Sequence, residues 1–440
     1  MRSACLAAVV VAGAAALTAP AEAIAAQPPE PIIAGPADDL GARIDAFVKP
    51  LLDDGILSGV LLVTRGGSVV AQRVWGMADY EHSVANTLDT RFCIASISKP
   101  ITRIMLQQLV DAGELSWDAK VVQWCPQVPG ADTMTLAMLR DHTSGIPHRV
   151  TEPRDETVPI SAAEMVDRVA TAKSLFAPGQ GESYSSAGYS VLARVLEIVS
   201  GRPYDVLLQD RICNPAAMRR TAHIDHTELL PDRARSYFAG VDGPEHAPLK
   251  DTSFLVGAGS IWSTAGDLDK LCAALAAGRL PAADRTQQFL PSGDHAWTGR
   301  TNGFASYVQF LPDLDTRVIF TGNRQGGRRD LMVAIPAMLR GEPCDPPARW
   351  PKAVPVAWHV LKTFEGIYRV PNRFDLDVRL RGKTLRCQGL AMIPIGADRF
   401  FYPDRDATMR FHRDDAGAIA NIGWSEAGQT WRFAKVGELR

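Results

Sequence analysis

Several signatures are missing from this chain, and each absence removes a class of function. There is no Cys-x-x-Cys pair and no His-Glu-x-x-His, the spacings that gather zinc ligands or a redox dithiol. No Gly-x-Gly-x-x-Gly is present to cradle a dinucleotide, and no Gly-x-Ser-x-Gly to raise a serine on the elbow of an α/β-hydrolase. Charge of one sign is also lacking. With 47 Lys and Arg against 49 Asp and Glu the formal net charge is -2, and the basic residues form no run that could track phosphates, so nucleic acid is not expected as a partner.

What remains is ordinary globular material, 46% hydrophobic and 22% charged over 440 residues, enough for one large domain and a small one. Residues 1–26 carry Arg2, an apolar run from Ala4 to Leu17 and small residues ending in Ala21-Glu22-Ala23 and Ala25-Ala26. That layout is a secretory signal, with cleavage expected after Ala23 or Ala26 and a periplasmic or extracellular product. The run is shorter than the ~20 residues a membrane span needs, and no later stretch reaches that length, so no span is expected after processing. Cys93, Cys125, Cys213, Cys272, Cys344 and Cys387 would remain; they read as buried free thiols, with one or two disulfides left open in an oxidising compartment.

A first folded domain is expected over residues 37–342. Val60–Val63 and Val69–Trp75 flank Arg65-Gly66-Gly67 and read as a hairpin. A helix starting at Ser96 carries Ile101, Ile104, Met105 and Leu109 at helical spacing and stops at Gly113; another carries Leu192, Val195, Leu196 and Val199 and stops at Gly201. Phe304–Asn323 reads as two strands turning at Pro312-Asp313. Strands that bracket a helical middle predict an α+β fold, an antiparallel sheet flanked by helices. Five prolines between Pro343 and Pro355 mark a linker over 343–355. Beyond it, residues 356–440 alternate in short strands and predict a small C-terminal β-barrel-like domain.

The chemistry concentrates in two places. Ser96-Ile97-Ser98-Lys99 is the one Ser-x-x-Lys of the chain, and a helix beginning there sets both side chains on one face. A serine hydroxyl needs a nearby base, and a lysine serves only if burial or neighbouring positive charge lowers its pKa. Tyr184-Ser185-Ser186 stands ahead of the second helix, where a tyrosine facing Lys99 could relay the proton, the lysine's charge favouring a phenolate. His142 reads as a structural loop histidine, and His223-Ile224-Asp225-His226 lacks a third ligand, so neither metal nor cofactor is assigned.

Taken together, Asp89–Lys99, Thr135–Pro147 with His142-Thr143-Ser144-Gly145, Pro178–Gly201, Gly257–Leu271 with Ser263-Thr264-Ala265-Gly266-Asp267, and Trp297–Asn323 resemble the serine β-lactamase-like family. That family includes class C β-lactamases, penicillin-binding DD-peptidases, esterases and D-aminopeptidases. The resemblance covers roughly residues 40 to 340 in the family's order. It implies Ser96 as nucleophile, Lys99 as its base, Tyr184 as the second relay member, and the backbone N–H groups of Ser96 and Arg300 as the oxyanion hole. Ser186, Trp297, Thr298 and Gly299 would face the substrate. Two positions depart from the pattern. Ser186 stands where the family often has Asn, and Trp297 where it usually has Lys or His. His295, two residues earlier on the same strand face, could substitute for that cation but reads more readily as a histidine on the surface or behind the site. A strand without that cation favours esters or amides with apolar flanks over β-lactams and free C-terminal peptides. The expectation is an exported serine hydrolase of esterase or D-aminopeptidase type acting on a small molecule or short peptide, cell-wall fragments included. The alternative is a catalytically silent sensor or cell-wall binding module on the same fold.

Overall fold

The glycines of Arg65-Gly66-Gly67 do turn the chain: Gly66 and Gly67 take φ +54° and +81° in the computed structural model, between antiparallel strands Gly59–Arg65 and Ser68–Trp75. The structure describes residues 40–281, 288–289, 294–369, 375–426 and 428–439; the signal expected over 1–26 lies outside them. The hairpin is one edge of a six-stranded antiparallel sheet. Its spatial order is Gln288–Phe289, His295–Thr301, Phe304–Leu311, Thr316–Gly322, Gly59–Arg65, Ser68–Trp75. Early and late strands of the chain thus meet at the Gly59–Gly322 register.

Each face of this sheet buries a separate core. Helices Leu40–Asp53 and Arg328–Arg340 cover one face, packing Ile44, Phe47, Leu331 and Ile335 against Leu61, Val63, Val318 and Phe320. The helical middle covers the other, where Ile101, Met105, Leu192 and Leu268 meet Leu62, Val308 and Ile319. This is the expected α+β architecture. Strand Phe304–Leu311 is consequently buried at every position, so alternation in its sequence cannot announce which side chains face which helices.

After residue 344 the chain runs without helix or strand to the short helix Trp358–Lys362. A nine-stranded antiparallel sheet follows, ordered Leu390–Ala391, Thr384–Cys387, Asp375–Arg381, Gly366–Arg369, Gln429–Gly437, Ile419–Glu426, Ala407–Arg413, Arg399–Tyr402, Ile393–Pro394. Its two end strands are separated in the chain only by Met392, so the sheet curls nearly closed around Phe364, Tyr368, Phe400 and Phe411. It touches the first unit at several points: Arg386 pairs with Glu245 at 2.7 Å, the rings of Trp350 and Phe401 pack at 5.3 Å, and Arg300 Nη1 donates to Asp404 O at 2.9 Å.

The six cysteines from Cys93 to Cys387 are buried free thiols, so the disulfides left open by the sequence do not form among the described residues.

Candidate active site

The chain reaches Ser96 along Phe92–Cys93, paired with Ile261–Ser263, and Ile94 N donates to Ile261 O at 2.9 Å. Ala95 then takes φ +49°, a left-handed conformation that costs an L-residue roughly 1–2 kcal/mol. The reversal turns Ser96 outward on a single 3₁₀ turn, Ala95–Ile97, before helix Ser98–Asp111 begins. Thr102 ties the helix to the segment opposite by donating to Gly257 O at 2.7 Å.

Lys99 lies one turn on, 1% exposed. Its Nζ is 3.2 Å from Ser96 Oγ, 3.2 Å from Ser186 Oγ and 3.0 Å from Ala258 O. No carboxylate lies within ion-pair distance among the described residues, and burial pulls the amine's pKa down to about 7. At neutral pH a large fraction of Lys99 is therefore the free amine. Such an amine has two hydrogens to donate and one lone pair. Given to Ala258 O and Ser186 Oγ, the hydrogens leave the lone pair for Ser96.

Tyr184 completes the group from the other side, its hydroxyl donating to Ser96 Oγ at 2.8 Å, with Lys99 Nζ 4.7 Å from its ring centre. Burial raises the hydroxyl's pKa, so it stands beside Ser96 as a phenol and not as the phenolate that a neighbouring ammonium would have favoured. Two histidines position it. Ser185 N donates to His142 Nδ1 at 3.1 Å and Ser186 N to His148 Nδ1 at 3.3 Å, while the two rings lie 4.5 and 5.3 Å from that of Tyr184. Burial, and then the nearby Lys99, drive His142 down to about 4, so its Nδ1 is a standing acceptor. Ser185 caps helix Ser186–Ser200 through Gly188 N at 2.9 Å.

On the far side of Ser96 runs strand His295–Thr301. A Cβ on Gly299 would lie 2.0 Å from Ile94 O and 3.1 Å from Ser96 N, so only glycine lets the strand come this close. Thr298 is partly buried on the opposite face, and Arg300 is exposed with its guanidinium turned to Asp404. Trp297 corrects an expectation. It shares the face of Gly299 but is fully buried against Phe310, ring centres 5.2 Å apart, and belongs to the helical-side core. It fills space between the strand and the helical middle and offers no surface to a substrate. His295 sits at the other end of the strand, in register with Phe289 and Phe310.

The sequence model of the β-lactamase family matches residues 44–296, more than half of the chain. The chain belongs to the β-lactamase family. Within it the chain is similar to esterase EstB of Burkholderia gladioli, 32% identical over 202 residues that make up 42% of this chain and 51% of EstB. It is also similar to a D-aminopeptidase of Cereibacter sphaeroides, 29% identical over 237 residues, 52% and 45% of the two chains. The curated relatives it matches are covered over about half to two thirds of their length. The penicillin-binding protein homologue of Pyrococcus abyssi has the same fold at 20% identity and a TM-score of 0.59, over 90% of this chain and 99% of that one.

For this member of a serine β-lactamase-fold family, the geometry brings together Ser96, Lys99, Tyr184, Ser186 and Gly299 and leaves Trp297 aside. Sequence reasoning had missed His148 and the carbonyl of Ala258. His148 left a faint signal, six residues after His142 in a loop rich in turn residues; the carbonyl left none, because any residue supplies one. His223 and His226 do not converge: one Nδ1 contacts Ser260 Oγ at 2.8 Å, the other Asp251 Oδ2 at 2.5 Å. No described helix is long and apolar enough to cross a membrane.

Proposed function

We propose that the protein is an exported serine hydrolase that cleaves ester or small amide bonds through an acyl-enzyme on Ser96, as an esterase or D-aminopeptidase does, in preference to β-lactams. The observation that carries this reading is Lys99, a buried amine with no acid partner among the described residues and a lowered pKa, 3.2 Å from a serine oxygen. A lysine kept merely for structure would be paired or solvated.

In the first half-reaction Ser96 Oγ bonds to the substrate's carbonyl carbon while its proton passes to Lys99 Nζ. The carbonyl π pair moves to oxygen, where the N–H groups of Ser96 and Arg300 are the donors proposed to stabilise it. Collapse expels the alcohol or amine with a proton from Tyr184, and the Lys99 ammonium restores the phenol. Water then adds to the acyl carbonyl, gives its proton to Lys99, and releases the acid as Ser96 recovers a proton. Ser186 supports the reading, since its hydroxyl occupies one contact of Lys99 in place of the family's usual amide. Preference for uncharged carbonyl neighbours is proposed from the family resemblance, in which Lys or His usually stands where this chain has the core-packed Trp297, and export from the N-terminal segment.

The test is intact-protein mass spectrometry of wild type and Ser96→Ala after a fluorophosphonate, a p-nitrophenyl ester, a D-alanyl anilide and a penicillin. An adduct and turnover confined to the wild type are expected. Equal labelling or turnover by Ser96→Ala would refute the nucleophile, and silence of the wild type with all four compounds would favour the non-catalytic binding module.

A further inference from the structure

A cavity of about 500 Å³ is walled mainly by residues 233–236 and 246–250 and, on one side, by segments that continue into the site. Asn302 and Phe304 follow strand His295–Thr301, Trp262 is in register with Cys93 three residues before Ser96, and Thr252 opens the turn that leads to Ala258. Its floor is aromatic. The buried rings of Trp262 and Phe304 meet edge to face at 5.1 Å, and Trp262 Nε1 donates to Thr252 Oγ1 at 3.1 Å. Leu249, 75% exposed, forms an apolar lip.

The charges around it are almost all committed. Glu81 receives Arg235 at 3.2 Å and His246 at 2.7 Å, Arg235 also reaches Asp79 at 3.0 Å, His226 faces Asp251, and Lys250 pairs with the buried Glu156. Arg233 is the exception among the charged lining residues. Its guanidinium lies 5.7 Å above the Trp262 ring with no carboxylate partner among the described residues. An exposed guanidinium over an indole face has its fork of N–H donors available to match a carboxylate in two parallel bonds.

We infer that this cavity receives the distal part of the substrate, and that the group it fits is a flat apolar body ending in a carboxylate. The inference rests on Ser96 being the nucleophile, since only then does the substrate have a distal part to place. The carboxylate is thereby separated from the scissile bond, in keeping with a strand that offers no cation at residue 297.

Two arms test it. In the first, kcat/KM is compared for mono-p-nitrophenyl glutarate and the uncharged p-nitrophenyl valerate. Wild type is expected to prefer the charged ester by about tenfold, the size of one charge-assisted contact. Arg233→Ala should lose that preference with valerate turnover unchanged, and added salt should weaken it in the wild type. An unchanged ratio in Arg233→Ala, or a wild type that prefers valerate, would overturn the assignment. In the second arm, Ser96→Ala protein is titrated calorimetrically with 4-phenylbutyrate and with 4-phenylbutanamide. Tighter binding of the acid, lost in Ser96→Ala/Arg233→Ala, supports the site; equal binding of acid and amide overturns it. Because this arm needs no turnover, a failure of the hydrolase reading is distinguishable from a failure of the cavity assignment.

Discussion

Inside the C-terminal sheet the buried Tyr368 hydroxyl donates to Phe364 O at 2.7 Å and the Tyr402 hydroxyl to Cys387 O at 3.2 Å. The rings of Phe364, Phe400 and Phe411 pack 4.4 to 5.5 Å apart. Around Ser96, equal burial holds an amine with no acid beside it among the described residues and an alanine at φ +49°. Both cost folding free energy. The first region is arranged for stability, whereas the second keeps groups that stability alone would replace, which is the pattern of a site selected for chemistry.

The most direct way to break this contrast is Lys99→Met. Turnover should fall by at least ~10³-fold, because the serine loses its base. The melting temperature should rise by roughly 2–5 °C, because a buried amine has been exchanged for an apolar chain of similar length. A lower melting temperature would show that the lysine is structural. Gly299→Ala comes next. Its methyl group meets Ile94 O at 2.0 Å and must push the strand off Ser96, so kcat should drop about 10²-fold, read by steady-state assay. Phe411→Ala is the matching change in the other region. It should lower unfolding free energy by about 3–5 kcal/mol in urea titrations and leave kcat/KM of the folded fraction within about twofold.

The pH profile sharpens the comparison further. With the neutral amine as the proposed base, kcat/KM should climb about tenfold per pH unit below the Lys99 value of about 7 and level off above it, with Tyr184 remaining a phenol. The same shift acts on folding. Between about 7 and the ordinary lysine value of 10.5 the unfolded chain holds a proton at this site that the native chain does not, so this lysine's contribution makes stability rise with pH across that window. The smallest effect belongs to Ala95→Gly. Relief of the left-handed alanine, less the added freedom of the unfolded chain, should stabilise the protein by about 0.5–1 kcal/mol in thermal or urea unfolding, with activity within about threefold.

Much of this was legible in the sequence because it is local. Ser96 and Lys99 are one turn apart, Gly66-Gly67 mark a tight reversal, and Gly201 ends its helix at φ +68°. Tyr184 needed the family resemblance, since 88 residues separate it from Ser96 and no spacing rule spans that distance. What stayed hidden depends on faces and main-chain atoms. Strand His295–Thr301 mixes apolar, polar and glycine residues without clean alternation, so nothing in its pattern told whether Trp297 looked toward a substrate or into the core. The contribution of Ala258 is a carbonyl, and the conformation of Ala95 is imposed by its neighbours; neither leaves a mark on residue type.

The buried thiols carry a consequence for how the protein can be handled. Burial pushes those of Cys93, Cys213 and Cys387 up to about 12, so they hold almost no thiolate and exchange slowly with disulfides. Once folded, the described thiols are unpaired by any disulfide and shielded from exchange, so dithiothreitol added to the native protein should leave its activity and melting temperature unchanged.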